Sequence, residues 1–482
     1  MKYGELQLHI GAQQRGASEG GQIEVLNPSN GEVIAKVPAL TAEDLPAVFA
    51  AAESGAAQWR ETDGIERGRI LLHAAQLVRE HASELAEIIT SELGKLPADA
   101  AGEVEKSAQF LEYYGGMGRD EFGGIMFDGR PNTVTSRVRE PLGVVALITP
   151  WNDPLLTPCR KLGPALISGN AVIIKPASAT PLCVMKLAEL LREAGLPDGV
   201  LTVVTGRGDA VVHDLIDHPA IAGVSFTGST ETGMSIQKQL AGKNIRVQTE
   251  MGGKNTLLVM DDADLDLVES AVVAGGLGQV GQRCTATSRI VVHEAIADEL
   301  QDRLVKVFQS QQAGPATAPG VTVGPVVDSR ARESILEHRD RAVAQGARVI
   351  AAAPLTDGQQ DRAFLVAPAL LEVSTKQDIW NEEVFGPIIG MAKVASFEEG
   401  VAAVNDTSYG LAAAIFTRSL ANAFEFARRA NAGQVSINHP TTGWDVHHPF
   451  GGFGDSGSGY KEQGRQALEF YTRCKTVALR SH

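Results

Sequence analysis

Several things are scarce in this sequence, and each scarcity narrows the field. Only four of the 482 residues are cysteine: Cys159, Cys183, Cys284 and Cys474. They stand far apart with no CxxC spacing, which speaks against a metal site or a disulfide framework and leaves reduced thiols. No run of about 18 apolar residues is present to span a bilayer. Lysine and arginine form no block, and 43 of them against 58 acidic residues give a formal net charge of -15, so no nucleic-acid partner is expected. The first twenty residues lack the apolar core and cleavage site of a signal peptide. These absences predict a cytoplasmic protein with no membrane partner and no bound metal.

What is present is the ordinary balance of a globular protein, 44% hydrophobic and 21% charged, in a chain long enough for two or three packed units. The punctuation of NPSNGEVIAKVP predicts an N-terminal meander with turns at Asn27-Pro28 and Asn30-Gly31. From Thr41 the spacing turns helical, with Ile70, Leu71, Ala74, Leu77 and Val78 on one face. From Gly143, β-branched runs alternate with helices: VVALITP, AVIIKP, VLTVVTG and GVSFTGS are the strands. That alternation predicts a parallel, Rossmann-like sheet covered on both faces, with any ligand at the carboxyl ends of the strands. A second alternating block runs from TLLVM near Thr256 through SRIVV, ARVIAA, FLVAPALLEV, PIIGMAKV and AAIFT. TVTSRVRE and the C-terminal FYTRCKTVALR read as strands outside either sheet, suited to pairing with another copy. The predicted class is therefore α/β, with two α/β domains and a small β ribbon.

The stretch Gly275 to Ile290, GGLGQVGQRCTATSRI, sets Cys284 among small and polar residues. Gly281, Gln282, Arg283, Thr285 and Thr287 leave room for a ligand, and Arg283 would favour the thiolate, the reactive form. Taken alone, the stretch fits a nucleophile or a buried structural thiol equally well.

Seven motifs in order decide between them: PWN at 150–152, KPA at 175–177, FTGSTETG at 226–233, EMGGKN at 250–255, GQRC at 281–284, EEVFGP at 382–387 and PFGGFGDSGSG at 449–459. With them the chain resembles the aldehyde dehydrogenase superfamily over nearly its whole length. The resemblance implies a dinucleotide-binding domain at 1–118 and 142–249, a catalytic domain at 250–460, and oligomerisation strands at 119–141 and 461–482 of a homodimer or homotetramer. It implies Cys284 as the nucleophile that forms a thiohemiacetal and then a thioester, Glu250 as the general base for hydrolysis, and Asn152 as an oxyanion donor. Gly252 and Gly253 would give a mobile carboxylate its backbone freedom.

For the cofactor, NADP or NAD, the resemblance points to Gly228 and Ser229 beside the pyrophosphate with Trp151, to Lys175 at the adenosine ribose, and to Glu383, Phe385 and Gly252 at the nicotinamide end. Members that prefer NAD commonly carry glutamate where this chain has Ser178. A serine does not repel a 2′-phosphate, and Lys175 with Arg207 and Gly208 of TGRG could help to hold it, so acceptance of NADP is expected.

Where the family commonly places an aromatic residue after PWN, this chain has Asp153, and seven residues on stands Arg160. With Thr157, Arg283, Thr285, Trp444 and Phe450 they predict a substrate tunnel polar on one side and aromatic on the other. Two arginines near the thiol point to a small aldehyde bearing a carboxylate. Arg160 matches an arginine of succinic semialdehyde dehydrogenases, whose second arginine corresponds to Gly278 here, while GQRCTATSR with EMGGKN resembles the α-ketoglutarate semialdehyde dehydrogenases. The alternative is that Asp153 and Arg160 pair with each other and leave a neutral tunnel for an aromatic or hydroxylated aldehyde. Two remoter readings are a CoA-acylating dehydrogenase, which typically lacks the base that Glu250 matches, and a non-catalytic protein on the same fold, against which the intact site residues speak.

Overall fold

The computed structural model describes residues 1–16, 20–120, 122–206, 208–356 and 363–481. Arg207 lies outside the described residues.

Residues 144–250 build a five-stranded, wholly parallel sheet. Its order across the sheet is Leu201–Val203, Ala171–Lys175, Val144–Ile148, Ile221–Thr227, Arg246–Glu250. The strands VVALI and AVIIK are buried at every position, as expected where helices cover both faces. Chain order reverses between Val144–Ile148 and Ile221–Thr227, so a crevice opens at their carboxyl ends. The residues that follow these two strands are Pro150, Trp151 and Asn152 on one side and Gly228 and Ser229 on the other.

Asn255–Val259 begins the second sheet, of seven strands. All are parallel except the edge strand Arg348–Ala352, which runs antiparallel to Ala369–Glu372. Alternate residues feed a separate core on each face: Leu258, Val291 and Ile415 on one, Leu257, Ile290 and Phe416 on the other. The sequence pattern finds these strands but misses Gln434–Ile437, a short edge strand with only two fully buried residues.

The helical region from Thr41 resolves into four helices, Leu45–Glu61, Gly64–Glu80, Ala82–Leu93 and Pro97–Gly116. The helical run breaks at His81, whose φ and ψ of -95° and 18° leave the helical range, and the next helix stops at Gly94 with φ of 84°, where a left-handed residue costs glycine little. Two buried carboxylates from these helices cap the N-termini of crossover helices of the first sheet. Glu92 accepts from the N–H groups of Leu182 and Cys183 at 2.9 and 3.1 Å, and Glu103 from those of Leu155 and Leu156 at 2.9 and 3.1 Å. Each satisfies amides that a helix start leaves unpaired. The second cap fixes the start of helix Leu156–Ile167 and the turn that carries Asn152 and Asp153.

Thr133–Pro141 pairs antiparallel with Thr472–Arg480 along its whole length and with Gly123–Met126 on its other side. The ribbon strand begins only at Thr472. Ahead of it, Ala467–Tyr471 is a short helix that buries Phe470 and Tyr471 in the core of the first sheet. Among the described residues no helix is long and apolar enough to cross a membrane.

Candidate active site

Cys284 stands between the two sheets, partly buried, on the loop before strand Thr287–His293. The loop is held from below. Asn255 Nδ2 donates to the carbonyls of Cys284 and Ala286 at 2.8 and 2.9 Å, and Thr441 Oγ1 to that of Thr285 at 2.7 Å. Ahead of it, Gln279, Val280 and Gly281 are left-handed in succession, with φ of 51°, 53° and 70°. At Gly281 a Cβ would collide with the carbonyl of Gly386, so this tight approach needs glycine.

Asn152 is buried and donates from Nδ2 to the Gln282 carbonyl at 3.0 Å. That bond orients the amide and leaves its second N–H free. Glu250 ends the first sheet, 2% exposed, with no hydrogen-bond partner on either carboxylate oxygen among the described residues. It rests in a cradle of glycine: a Cβ on Gly451 would strike its carboxylate. Burial first, and the Glu462 carboxylate second, push the Glu250 carboxyl well above its usual range. Burial likewise pushes the Cys284 thiol up to about 12, against the pull of Arg160.

On the switch-point side lies a cavity of about 260 Å³ whose lining includes Trp151, Ser229, Glu250, Cys284, Glu383 and Phe385. The crevice fits a dinucleotide by its own geometry. Helix Thr230–Leu240 opens onto it, N-capped by Ser229, so unpaired amides face the place of a pyrophosphate. Glu383 is held by the Gly253 N–H at 2.8 Å, and burial raises its carboxyl to about 7. A Cβ on Gly252 would collide with that same carboxylate. The physical need for Gly252 is this close approach rather than backbone freedom: neither it nor Gly253 adopts a positive φ. Trp151 and Phe385 stand edge to face, ring centroids 5.4 Å apart. Gly228 closes the strand, where a Cβ would stand 2.6 Å from the Phe226 ring. Lys175 ends its strand buried, Ser178 Oγ donates to the Gly206 carbonyl at 2.9 Å, and Gly208 starts helix Gly208–Asp217.

A second cavity, about 350 Å³, shares Asp153, Arg160, Cys284 and Phe450 with the first and is lined further by Arg283, Thr285 and Trp444 among others. Thr157, buried on its helix, faces the first cavity. The expected alternative of an Asp153–Arg160 pair is not what forms. Asp153 accepts from Lys95 Nζ at 2.7 Å and from Gln279 Nε2 at 3.1 Å. Arg160 pairs with Glu462 at 2.9 Å and lies over the Phe450 ring, 4.8 Å from its centroid. Both groups thus have compensating charges of their own. Glu462 also pairs with Lys161 at 2.6 Å and accepts from Thr227 Oγ1 at 2.6 Å. Burial alone would raise its carboxyl, but Lys161 and Arg160 overcome that and hold it at about 2.

Sequence reasoning missed Lys95, Glu103, Lys161, Gln279 and Glu462. A lone glutamate in YKEQG or a lysine in LGKLP reads as solvated surface, and nothing local reveals that partners 302 positions away, as Arg160 is from Glu462, will bury it. Among the described residues no group of three or more His, Cys, Asp or Glu could hold a metal ion.

Comparison with known proteins shows the family and the fold. The sequence profile of the aldehyde dehydrogenase family matches residues 15–477. An α-ketoglutarate semialdehyde dehydrogenase of Haloferax volcanii is 42% identical over 465 residues, covering 95% of this chain and 96% of that protein. A 2,5-dioxopentanoate dehydrogenase of Saccharolobus solfataricus is 39% identical over 94% of this chain and 95% of its own. Among solved structures, PnpE in complex with nicotinamide adenine dinucleotide superposes with a TM-score of 0.96 at 34% identity, over 100% of this chain and 98% of that one. An NADP-dependent enzyme of E. coli superposes at 0.95 and 33% identity, over 99% and 98%. The chain belongs to the aldehyde dehydrogenase family of NAD(P)-dependent enzymes.

Proposed function

We propose that this enzyme oxidises a small anionic semialdehyde to its acid, with Cys284 as nucleophile, Asn152 as oxyanion donor and Glu250 as general base. The observation that carries this reading is the pair of cavities that meet at Cys284, Asp153, Arg160 and Phe450, one reaching the start of helix Thr230–Leu240 at Ser229 and the other reaching Arg283 and Trp444. An anionic substrate is supported by Arg283, the residue before the nucleophile. Its Nε is held by the Gln279 amide oxygen, and Asp153, the carboxylate that feels its charge, is itself paired with Lys95, so the terminal nitrogens of the guanidinium are available to a ligand. The names of the Haloferax and Saccharolobus relatives point the same way.

The aldehyde enters from the cavity that holds Arg283 and Trp444, and Cys284 Sγ gives up its proton to solvent water and bonds to the carbonyl carbon. The oxygen of the resulting thiohemiacetal takes the charge, met by the free Asn152 N–H and the Cys284 backbone N–H. The dinucleotide, when bound, supplies the acceptor for the hydride that leaves this carbon. Trp151 and Phe385 wall that side and exclude water. Glu250 then takes a proton from the water that attacks the thioester, which frees the acid and the thiol. In its glycine cradle the Glu250 side chain has room to turn, and wetting of the site lowers its pKa toward a useful base.

Acceptance of NADP is supported by Ser178, a neutral group on an open cleft of about 690 Å³ bordered also by Arg330 and by Lys36, which pairs with Glu24. The ribbon, with Ile125, Val134 and Leu479 exposed, suits a homodimer or homotetramer. A second reading, an aromatic or hydroxylated aldehyde, is favoured by Trp444 and Phe450 and by the pairing of Arg160 with Glu462. NAD(P)H absorbance with succinic semialdehyde, α-ketoglutarate semialdehyde, benzaldehyde and a medium-chain alkanal, each with NAD and NADP, separates the two. The anionic substrates are expected to show the highest kcat/KM. Cys284→Ala abolishes turnover, and Glu250→Gln leaves a burst of NAD(P)H with slow steady state. Turnover that survives Cys284→Ala overturns the mechanism.

A further inference from the structure

Arg283 is fixed in place by a chain of contacts that starts away from the reacting groups. Lys95, buried just past helix Ala82–Leu93, donates to Glu103 and, at 2.7 Å, to Asp153 Oδ1. The same oxygen accepts from Gln279 Nε2 at 3.1 Å, and Gln279 Oε1 accepts from Arg283 Nε. A free amide could point either way. A carboxylate only accepts, so Asp153 selects the Nε2 end of Gln279 and leaves Oε1 for the guanidinium. Turned over, the amide would set oxygen against carboxylate and NH2 against cation. The backbone of Gln279 is left-handed, φ 51°, a conformation that persists in such a residue only when its surroundings enforce it. Arg283 Nη1 lies 3.8 Å from where a Cβ would stand on Gly278, so the guanidinium rests against bare backbone, in space that a side chain at 278 would enter.

We propose that Gln279 is a positioning residue for substrate selection: oriented by the Lys95–Asp153 pair, it presents the terminal nitrogens of Arg283 to the distal carboxylate of the aldehyde. The proposal rests on the anionic-substrate reading above. With Nε engaged by Gln279, the Nη1 and Nη2 face remains for bidentate contact with a carboxylate. An arm already ordered in the free enzyme loses less freedom on binding than a mobile one.

The test is a double-mutant cycle on the holoenzyme, with KM and kcat measured for succinic semialdehyde and for butanal, its neutral four-carbon counterpart. Gln279→Leu is expected to raise KM for the anion about tenfold, the loss of one charge-dependent contact, and to change KM for butanal less than about twofold. In an Arg283→Met background Gln279→Leu is expected to add nothing, because the two act as one unit. An equal rise for both aldehydes, or a further rise in the Arg283→Met background, overturns the proposal and marks Gln279 as merely structural. Should Gln279→Leu fail to fold, Gln279→Met, which keeps the length of the side chain and removes both amide atoms, is read in the same cycle and is expected to give the same anion-specific rise. A wild-type enzyme with no preference for the anion overturns the substrate reading and this proposal together. A wild-type preference with an inert Gln279→Leu overturns the positioning role alone.

Discussion

Cys284 is a thiol whose pKa burial raises to about 12, with the Arg160 guanidinium pulling it down and the carboxylates of Asp153, Glu462 and Glu250 pushing it up. Arg160 cannot do more because its charge is already shared with Glu462. The thiolate fraction of the free enzyme therefore grows with pH across the whole accessible range. Alkylation of Cys284 by iodoacetamide is expected to speed up about tenfold per pH unit between roughly pH 7 and 10 with no plateau, since the thiolate is the nucleophile. The measurement belongs in a Cys474→Ser background, because Cys474 is exposed while Cys159 and Cys183 are buried. A plateau near pH 8 would mean that Arg160 outweighs burial.

At the scale of elements, the carboxylates that cap crossover helices show a similar contest. Glu92 faces the N-terminus of helix Leu182–Glu193, where the helix dipole favours a negative charge. Burial is the larger effect and raises its carboxyl to about 8. The folded pKa lies above the unfolded one, so the proton it retains contributes stability that is full below about pH 4.5 and is lost as pH rises to about 8. Glu92→Gln removes that titration but also one of two acceptor oxygens, at a cost of about 1 kcal/mol. The variant is expected to melt below wild type at pH 5 and to match or exceed it at pH 9, in thermal scans at both values. A constant difference across that window would show that Glu92 is ionised throughout. Glu103 couples its own cap to the site, because the helix start that it holds carries the turn of Asn152 and Asp153.

At the scale of the whole molecule, the ribbon ends in an edge strand with no partner on its outer side among the described residues. Thr472–Arg480 is exposed at every residue after the first, with Leu479 at 69%, and edge strands of this kind invite pairing. A second copy laid along it would cover this apolar surface. Light scattering after size exclusion is expected to give two or four chains for the wild type and a smaller particle for Val477→Glu combined with Leu479→Glu. An unchanged mass would assign the interface elsewhere.

The sequence by itself determined the two α/β sheets, because buried parallel strands are continuous apolar runs and their crossovers are amphipathic helices, both local patterns. It also contained the motifs at Asn152, Glu250 and Cys284, which the fold brings to one cavity, because each motif is a short contiguous signature. Only the tertiary structure decided which charges neutralise which. Asp153 with Lys95, Arg160 with Glu462, and Glu103 with the start of helix Leu156–Ile167 join segments remote in sequence. Whether a charged residue is solvated surface or a buried partner depends on what packs over it, and that no local pattern records.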